Sequence, residues 1–144
     1  MSFELIKNKK TLTLTHPDMT RFFISLNQAV IFVLNSFAKM KGGEVYIPKM
    51  NSIFIKDLIY TLDAKSKFKI TGVRPGEKIN EVLFSKDESS SVYENKDAFL
   101  MYPSFFKNSL KKGKKTKISE YSSGDKTFLS IAKIKNIIKT INLK

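Results

Sequence analysis

The chain has 144 residues and a net charge of +13, which is the size of one domain or of one lobe of a larger protein. It has no cysteine and a single histidine, His16, so disulfides, thiolate zinc sites and histidine-based metal clusters are excluded within one chain. The longest apolar run, residues 29–34, is far shorter than the ~20 residues of a membrane-spanning helix, and the charged amino terminus lacks a signal-peptide core. We therefore expect a soluble, cytoplasmic protein without a membrane span.

Apolar periodicity and turn residues predict alternating strands and helices. In chain order the predicted elements are strands at 11–15 and 21–25, a helix at 27–40, a strand at 44–48, a helix at 55–64, a strand at 69–73, a short helix at 79–84, a polar loop at 87–96, a strand at 97–102, a lysine-rich loop at 108–117 and a terminal helix at 128–141. Ser25 or Asn27 can cap the first helix, Gly42 and Gly43 end it, and Ser52 can cap the second. This order is the α/β pattern.

The positive charge is carried almost entirely by lysine, since only Arg21 and Arg74 among the 26 basic residues are arginines. A strongly basic chain raises nucleic acid or an anionic membrane surface as a partner. Planar, bidentate recognition of phosphate favours arginine, however, and residues 107–117 have the composition of a solvated lysine-rich loop. Nucleic acid is therefore not the favoured partner.

Nucleotide and dinucleotide fingerprints are absent from the sequence. The spacing of the six glycines fits neither G-x-G-x-x-G nor a P-loop, and none of the five tyrosines is followed by a lysine four residues later. The sequence therefore assigns no catalytic residue, no cofactor-binding residue and no metal ligand.

The turn that follows the strand at 69–73 has the composition of a phosphate-binding site. Pro75 fixes the backbone after Arg74, and Gly76 permits a left-handed turn or the close approach of a ligand. A guanidinium at the carboxyl end of a strand suits a phosphate, and the carboxylate of Glu77 suits a sugar diol. The alternative is a surface turn with a local Arg–Glu pair.

Arg21 lies where a turn enters a strand, beside Phe22 and Phe23. Taken alone, an arginine at such a place is more often part of a structural ion pair. Both arginines of a lysine-biased chain lie at loop–strand junctions, however, and this coincidence favours a shared ligand.

Four segments carry a resemblance to a known family, namely THPDMTRFFISLNQAVIFVL, GGEVYIPKMNSIFIKDL, ITGVRPGEKINEVLF and EYSSGDKTFLS. In order and over roughly residues 11–131, they resemble the carboxy-terminal portion of the UDP-N-acetylglucosamine 4,6-dehydratases, which belong to the extended short-chain dehydrogenase/reductase superfamily. The RPGEK turn and the EYSS segment favour the inverting enzymes of pseudaminic-acid synthesis. His16 departs from the pattern, because the family commonly has Asp before this proline.

The resemblance implies a substrate-binding role for four residues. Arg21 and Arg74 would contact the diphosphate of the UDP-sugar from two sides, and Glu77 would hold the ribose hydroxyls. Lys49 would lie near the substrate. Family enzymes bind NADP in an amino-terminal Rossmann lobe, which also supplies their catalytic residues, so no cofactor is expected on this chain alone.

The expected organisation is a sugar-nucleotide-binding lobe over 1–106, the lysine-rich loop over 107–117 and a terminal segment over 118–144. We expect the UDP-N-acetylglucosamine-binding part of a dehydratase that acts in surface-polysaccharide or flagellin-glycan sugar synthesis and is incomplete without a Rossmann lobe, which a partner chain could carry. The alternatives are a basic nucleic-acid-binding module and a nonfunctional truncated remnant. A face turned towards the missing lobe would be apolar and exposed, which predicts a homo-oligomer or marginal stability.

Overall fold

Residues 12–125 and 127–140 are described by a computed structural model of the chain. The strands are β1 (Leu12–Leu14), β2 (Thr20–Phe23), β3 (Val45–Pro48), β4 (Asn51–Phe54), β5 (Phe68–Ile70), β6 (Val82–Phe84), β7 (Val92–Glu94), β8 (Ala98–Met101), β9 (Lys114–Lys115) and β10 (Tyr121–Ser122). The helices are α1 (Leu26–Lys39), α2 (Ile55–Leu62), α3 (Lys86–Ser89) and α4 (Ile131–Thr140), with a 3-10 turn at Asn108–Leu110. The predicted α/β class is confirmed, although Thr11 and Ile141 of the predicted end elements lie outside the described residues.

The chain divides into two compact units, each assembled from separate stretches. The first unit holds the described residues 12–23, 51–81, 123–125 and 127–140, and the second holds 24–50 and 82–122. Residues 107–117, predicted as a lysine-rich loop, fall inside the second unit and include the 3-10 turn and β9.

Two strand pairs and two helices build the first unit. β1 pairs with β5 in parallel, and β2 pairs with β4 in antiparallel register. The Leu-Thr-Leu alternation of β1 buries both leucines and leaves Thr13 exposed, as expected for a strand with one covered face. The buried residues form two apolar clusters, Leu12, Leu14 and Ile59 in one and Ile53, Leu129 and Ile134 in the other.

Antiparallel pairing dominates the second unit. Its main sheet has the order β3-β8-β7-β9, and β6 pairs with β10. The core of this unit contains Ile47, Phe84, Val92 and Phe99, with the rings of Phe84 and Phe99 meeting edge to face at a centroid distance of 5.2 Å.

Helix α1 begins and ends as predicted, but it lies on the surface. Ser25 forms a capping box with Gln28, and the following Gly42 and Gly43 have φ of 108° and 90°. Within the part of the chain that the structure describes, none of the α1 residues is buried. Leu34 and Phe37 are 64% and 76% exposed, so the apolar face is open to solvent.

Two predicted elements and one predicted helix cap are wrong. Residues 79–84 form no helix, because the apolar residues of β6 pair with β10 instead. Ser52 is not a helix cap but a buried residue of β4, and α2 begins after Phe54 without a side-chain cap. Residues 87–96, predicted as a loop, contain most of α3 and all of β7, and the Ser85–Glu88 capping box that begins α3 is visible as S-x-x-E in the sequence.

Candidate functional site

The turn at residues 74–77 lies just beyond the carboxyl end of the parallel pair β1–β5. Thr71 continues this pairing, because its N–H donates to the carbonyl of Leu14 over 3.0 Å. The turn is closed by the Glu77 N–H, which donates to the Arg74 carbonyl over 3.0 Å. Gly76 has φ of 81°, which confirms the predicted left-handed turn. The turn therefore occupies the strand edge at which α/β sheets bind ligands.

Glu77 is fixed by contacts to the residue after β1 and to the turn itself. Its Oε1 accepts a hydrogen bond from the hydroxyl of Thr15, the residue after β1, over 2.9 Å. Its Oε2 accepts a longer bond of 3.4 Å from the backbone N–H of Arg74. A carboxylate offers about four acceptor positions. Glu77 can therefore accept further hydrogen bonds without losing these two.

The guanidinium of Arg21 is bonded to three backbone carbonyls and one carboxylate. Its Nη1 donates to the carbonyls of Thr20, over 2.6 Å, and Ile79, over 3.1 Å, and its Nη2 donates to the carbonyl of Lys78 over 3.2 Å. Its Nε lies 3.3 Å from a carboxylate oxygen of Glu81. Because a guanidinium has five N–H donors, these contacts leave one donor on Nη2 for a ligand. The structural ion pair considered for Arg21 is therefore present.

Arg74 differs from Arg21 in that its guanidinium is uncommitted. The residue is exposed, and no group in residues 12–125 and 127–140 bonds its side-chain nitrogens. The alternative of a side-chain Arg74–Glu77 ion pair is not formed within these residues, because only the backbone of Arg74 reaches the carboxylate. A free guanidinium retains the planar fork of donors that recognises phosphate.

A chain of buried polar groups lies behind Arg21 and was not anticipated from the sequence. Thr20 and Ser123 are 2% and 0% exposed, and their hydroxyl oxygens are 2.8 Å apart. The Thr20 hydroxyl donates to Asn80 Oδ1 over 2.7 Å, and Ser123 Oγ accepts the Glu81 N–H over 2.8 Å. Short polar residues next to Arg21 and within the EYSS segment were the only signal of this network.

Lys49 belongs to the second unit and is held there by local contacts. Its Nζ donates to the Asn95 carbonyl over 2.6 Å and lies 3.3 Å from a carboxylate oxygen of Glu94. The ammonium also lies 5.0 Å from the centroid of the Phe99 ring. These contacts do not connect it to the Arg21 and Arg74 region, so a substrate contact by Lys49 stays a prediction.

The lysine-rich segment 107–117 is partly ordered by one aromatic ring. The ammonium groups of Lys111 and Lys115 lie 5.5 and 5.0 Å from the centroid of Tyr93, and Lys115 also donates to the carbonyl of Ser90. Lysines therefore lie over one of the rings on which a nucleic-acid base could stack.

A buried carboxylate lies in the second unit. Glu44 is 8% exposed, and its Oε2 has no hydrogen-bond partner among the described residues. Burial raises the pKa of this carboxyl, but hydrogen bonds from the backbone N–H groups of Lys41, Glu44 and Gly42, with the charge of Lys112, leave the pKa lowered overall. Glu44 is therefore held as a carboxylate.

The family described as "Polysaccharide biosynthesis protein" matches residues 2–103. The chain belongs to this family. The resemblance to inverting UDP-N-acetylglucosamine 4,6-dehydratases is confirmed by such an enzyme from Campylobacter jejuni, which is 44% identical over 95 residues, covering 66% of this chain and 28% of the enzyme. A UDP-glucose 4-epimerase of Rickettsia conorii is 30% identical over 149 residues, covering 95% of this chain and 43% of the epimerase.

A further relative and a solved structure match almost the whole length of the chain. An uncharacterized membrane protein of Methanocaldococcus jannaschii is 42% identical over 150 residues, covering 96% of this chain and 44% of the relative. The X-ray structure of Pen from Bacillus thuringiensis has a TM-score of 0.82 at 29% identity, covering 98% of this chain and 44% of that one. The chain thus spans less than half the length of the relatives that it matches.

The M. jannaschii relative is named a membrane protein, and this finding overturns the expectation of a cytoplasmic location. In the described ranges 12–125 and 127–140, no helix combines the length and apolarity needed to cross a membrane.

Proposed function

We propose that the chain binds the UDP part of a nucleotide sugar at the turn formed by residues 74–77. The observation that carries this proposal is the exposed guanidinium of Arg74, which no described residue bonds, beyond the carboxyl end of the β1–β5 pair. The names of the C. jejuni dehydratase and the R. conorii epimerase both contain UDP, so UDP is the chemistry that the named relatives share. UDP-N-acetylglucosamine is the substrate that the dehydratase similarity supports.

In the proposed site the two arginines would have unequal roles. Arg74 retains its full set of donors and suits bidentate binding of the diphosphate. Arg21 has one N–H left and contributes chiefly its positive charge and a single hydrogen bond. Glu77 retains acceptor capacity for the two ribose hydroxyls.

The proposed reaction context is a nucleotide-sugar 4,6-dehydratase of surface-polysaccharide or pseudaminic-acid synthesis that uses NADP. The six glycines of this chain lack the spacing of the dinucleotide-binding fingerprint. NADP and the catalytic side chains would therefore belong to a Rossmann lobe outside these residues. The present chain would bind and orient the UDP-sugar.

Titration of the chain with UDP, followed by calorimetry, tests the proposal. UDP should bind and raise the melting temperature, uridine should bind far more weakly, and Arg74→Ala should weaken UDP binding by about tenfold or more, because a charge-assisted bidentate contact is lost. Arg74→Lys should recover only part of the affinity, since lysine keeps the charge but loses the fork of donors.

Lys65→Ala is the matched control, because it removes an exposed positive charge from the same unit away from the turn. It should leave UDP affinity within about twofold. UDP binding that survives Arg74→Ala unchanged would contradict the proposal, and absence of UDP binding by the unsubstituted chain would favour the nonfunctional remnant.

A further inference from the structure

We infer that Thr20 and Ser123 are positioning residues that hold the Arg21 guanidinium in its ligand-binding orientation through a one-directional relay of hydrogen bonds. The inference deepens the proposed function and rests on it for its ligand-binding part. Two observations lead to it. The hydroxyl groups of Thr20 and Ser123 are buried, and the neighbouring Arg21 is bonded to the backbone of Lys78 and Ile79.

The direction of each hydrogen bond in the relay follows from the number of protons. Thr20 has one hydroxyl proton, and it is donated to Asn80 Oδ1, which can only accept. The bond between the two hydroxyls must therefore be donated by Ser123. Ser123 Oγ in turn accepts the N–H of Glu81. The relay runs from the Glu81 backbone through Ser123 and Thr20 to the Asn80 side chain, and such chains strengthen cooperatively.

The relay begins and ends on the segment that Arg21 bonds. The Thr20 N–H donates to the Ile79 carbonyl over 3.0 Å, and Arg21 Nη1 bonds the same carbonyl. The Ser123 N–H donates to the Glu81 carbonyl over 2.8 Å, so Ser123 holds the backbone of Glu81 from both sides. Glu81 is the ion-pair partner of Arg21. Displacing Asn80 and Glu81 would therefore move the carbonyl and the carboxylate that orient the guanidinium.

Gly124 explains how the Asn80 end of the relay is held. A Cβ atom at Gly124 would lie 2.7 Å from Asn80 Nδ2 and 2.9 Å from its Cγ, which is closer than real side chains pack. Glycine at this position lets the Asn80 amide approach the backbone after Ser123. An alanine there would push Asn80 away and open the relay at its last hydrogen bond, the one that Thr20 donates to Asn80.

The decisive experiment replaces Thr20 in two ways. Thr20→Val keeps the shape but removes the hydroxyl, which leaves Ser123 without an acceptor and Asn80 Oδ1 without a donor, whereas Thr20→Ser keeps the hydroxyl. We expect Thr20→Val to weaken UDP binding about tenfold, the equivalent of one lost charge-orienting hydrogen bond, and Thr20→Ser to stay within about twofold. Gly124→Ala should reproduce the effect of Thr20→Val.

Thr61→Val is the control for loss of a partly buried threonine hydroxyl bond elsewhere in the first unit. The Thr61 hydroxyl donates to the Asp57 carbonyl within α2, away from Arg21. This variant should lower the melting temperature and leave UDP affinity within about twofold, because its hydrogen bond restrains no part of the site.

A spectroscopic readout tests the positioning without ligand. The chain has only two arginines, so the arginine Nε–H region of a proton–nitrogen correlation spectrum contains two assignable signals. Thr20→Val should shift the Arg21 signal and speed its exchange with water, and it should leave the Arg74 signal in place. If the unsubstituted chain does not bind UDP, the proposed function fails. If it does bind UDP, and Thr20→Val binds it equally well or leaves the Arg21 signal unchanged, the relay is only structural and the inference is overturned.

Discussion

The Arg21 region and helix α1 differ in whether their side chains have partners within the described chain. Arg21 carries a charge, yet nearly all its donors bond groups of the first unit. Helix α1 carries apolar side chains, yet Leu34 and Phe37 are mostly exposed. The charged group of Arg21 has partners within the described chain, whereas the apolar side chains of Leu34 and Phe37 are left mostly uncovered. The orientation of Arg21 therefore rests on contacts within the first unit, whereas the apolar face of α1 is a surface that another apolar surface could cover.

The largest change in stability is expected when Arg21 is removed. Arg21→Ala should lower the free energy of unfolding by about 2–3 kcal/mol, because the carbonyls of Ile79 and Lys78 lose a charged donor. Arg74→Ala should change it by no more than about 0.5 kcal/mol, since its guanidinium has no partner in the described residues. Urea denaturation of the two variants measures the difference. Equal losses would break the distinction between a structural and a free arginine.

An intermediate effect is expected at Glu44 in the second unit. Because its pKa is lowered in the folded chain, its contribution is fully present above the unfolded pKa near 4.5 and is lost as pH falls through the folded pKa. Glu44→Gln should cost about 1 kcal/mol at neutral pH, where a charged acceptor is replaced by a neutral one. The gap between the two chains should close in acid. Denaturation curves between neutral pH and about pH 3 provide the measurement, and a gap that widens in acid would contradict the assignment.

The smallest change in stability, but a large change in association, is expected in α1. Replacing Leu34 and Phe37 with glutamine removes exposed apolar surface and should alter the free energy of unfolding by about 0.5 kcal/mol or less at each position. The same double variant should reduce the concentration-dependent association that an exposed apolar helix produces. Light scattering over a range of concentrations measures it, with Asn35→Gln as the neutral control on the same helix. Unchanged association in the double variant would show that α1 is not the surface responsible.

The sequence predicted the features that depend on local chemistry. The start of α1 follows from Ser25 and its end from two glycines, and the left-handed turn follows from Gly76, because each requires only one residue and its neighbours. β6 was misread as a helix, since its identity as a strand depends on pairing with β10, more than thirty residues away in the chain. Long-range pairing of this kind leaves no periodic signal in three residues.

The part of the candidate site that is contiguous in the sequence was predicted, and the part that depends on long-range contacts was not. Arg74, Gly76 and Glu77 form one contiguous turn, and the structure gives that turn the expected shape and position. The relay behind Arg21 joins Thr20 to Ser123, which are 103 positions apart, and no local pattern marks the pair. The exposure of α1 could not be predicted from its amphipathic spacing either. Spacing indicates which face of a helix is apolar, and it does not indicate whether another element covers that face.

The bridge between Ser52 and Phe128 bears on the order in which the molecule folds. The Ser52 N–H donates to the Thr127 carbonyl, and the Ser52 carbonyl accepts the Leu129 N–H, so the outer edge of β4 is completed by the latest part of the first unit to be synthesised. On a ribosome, β2 and β4 can pair long before that stretch emerges, and the open edge of β4 then stays available to other strands. The hydrogen-bond relay through Ser123 can form only after this carboxy-terminal stretch has been synthesised. The guanidinium of Arg21 therefore acquires its final orientation late in synthesis.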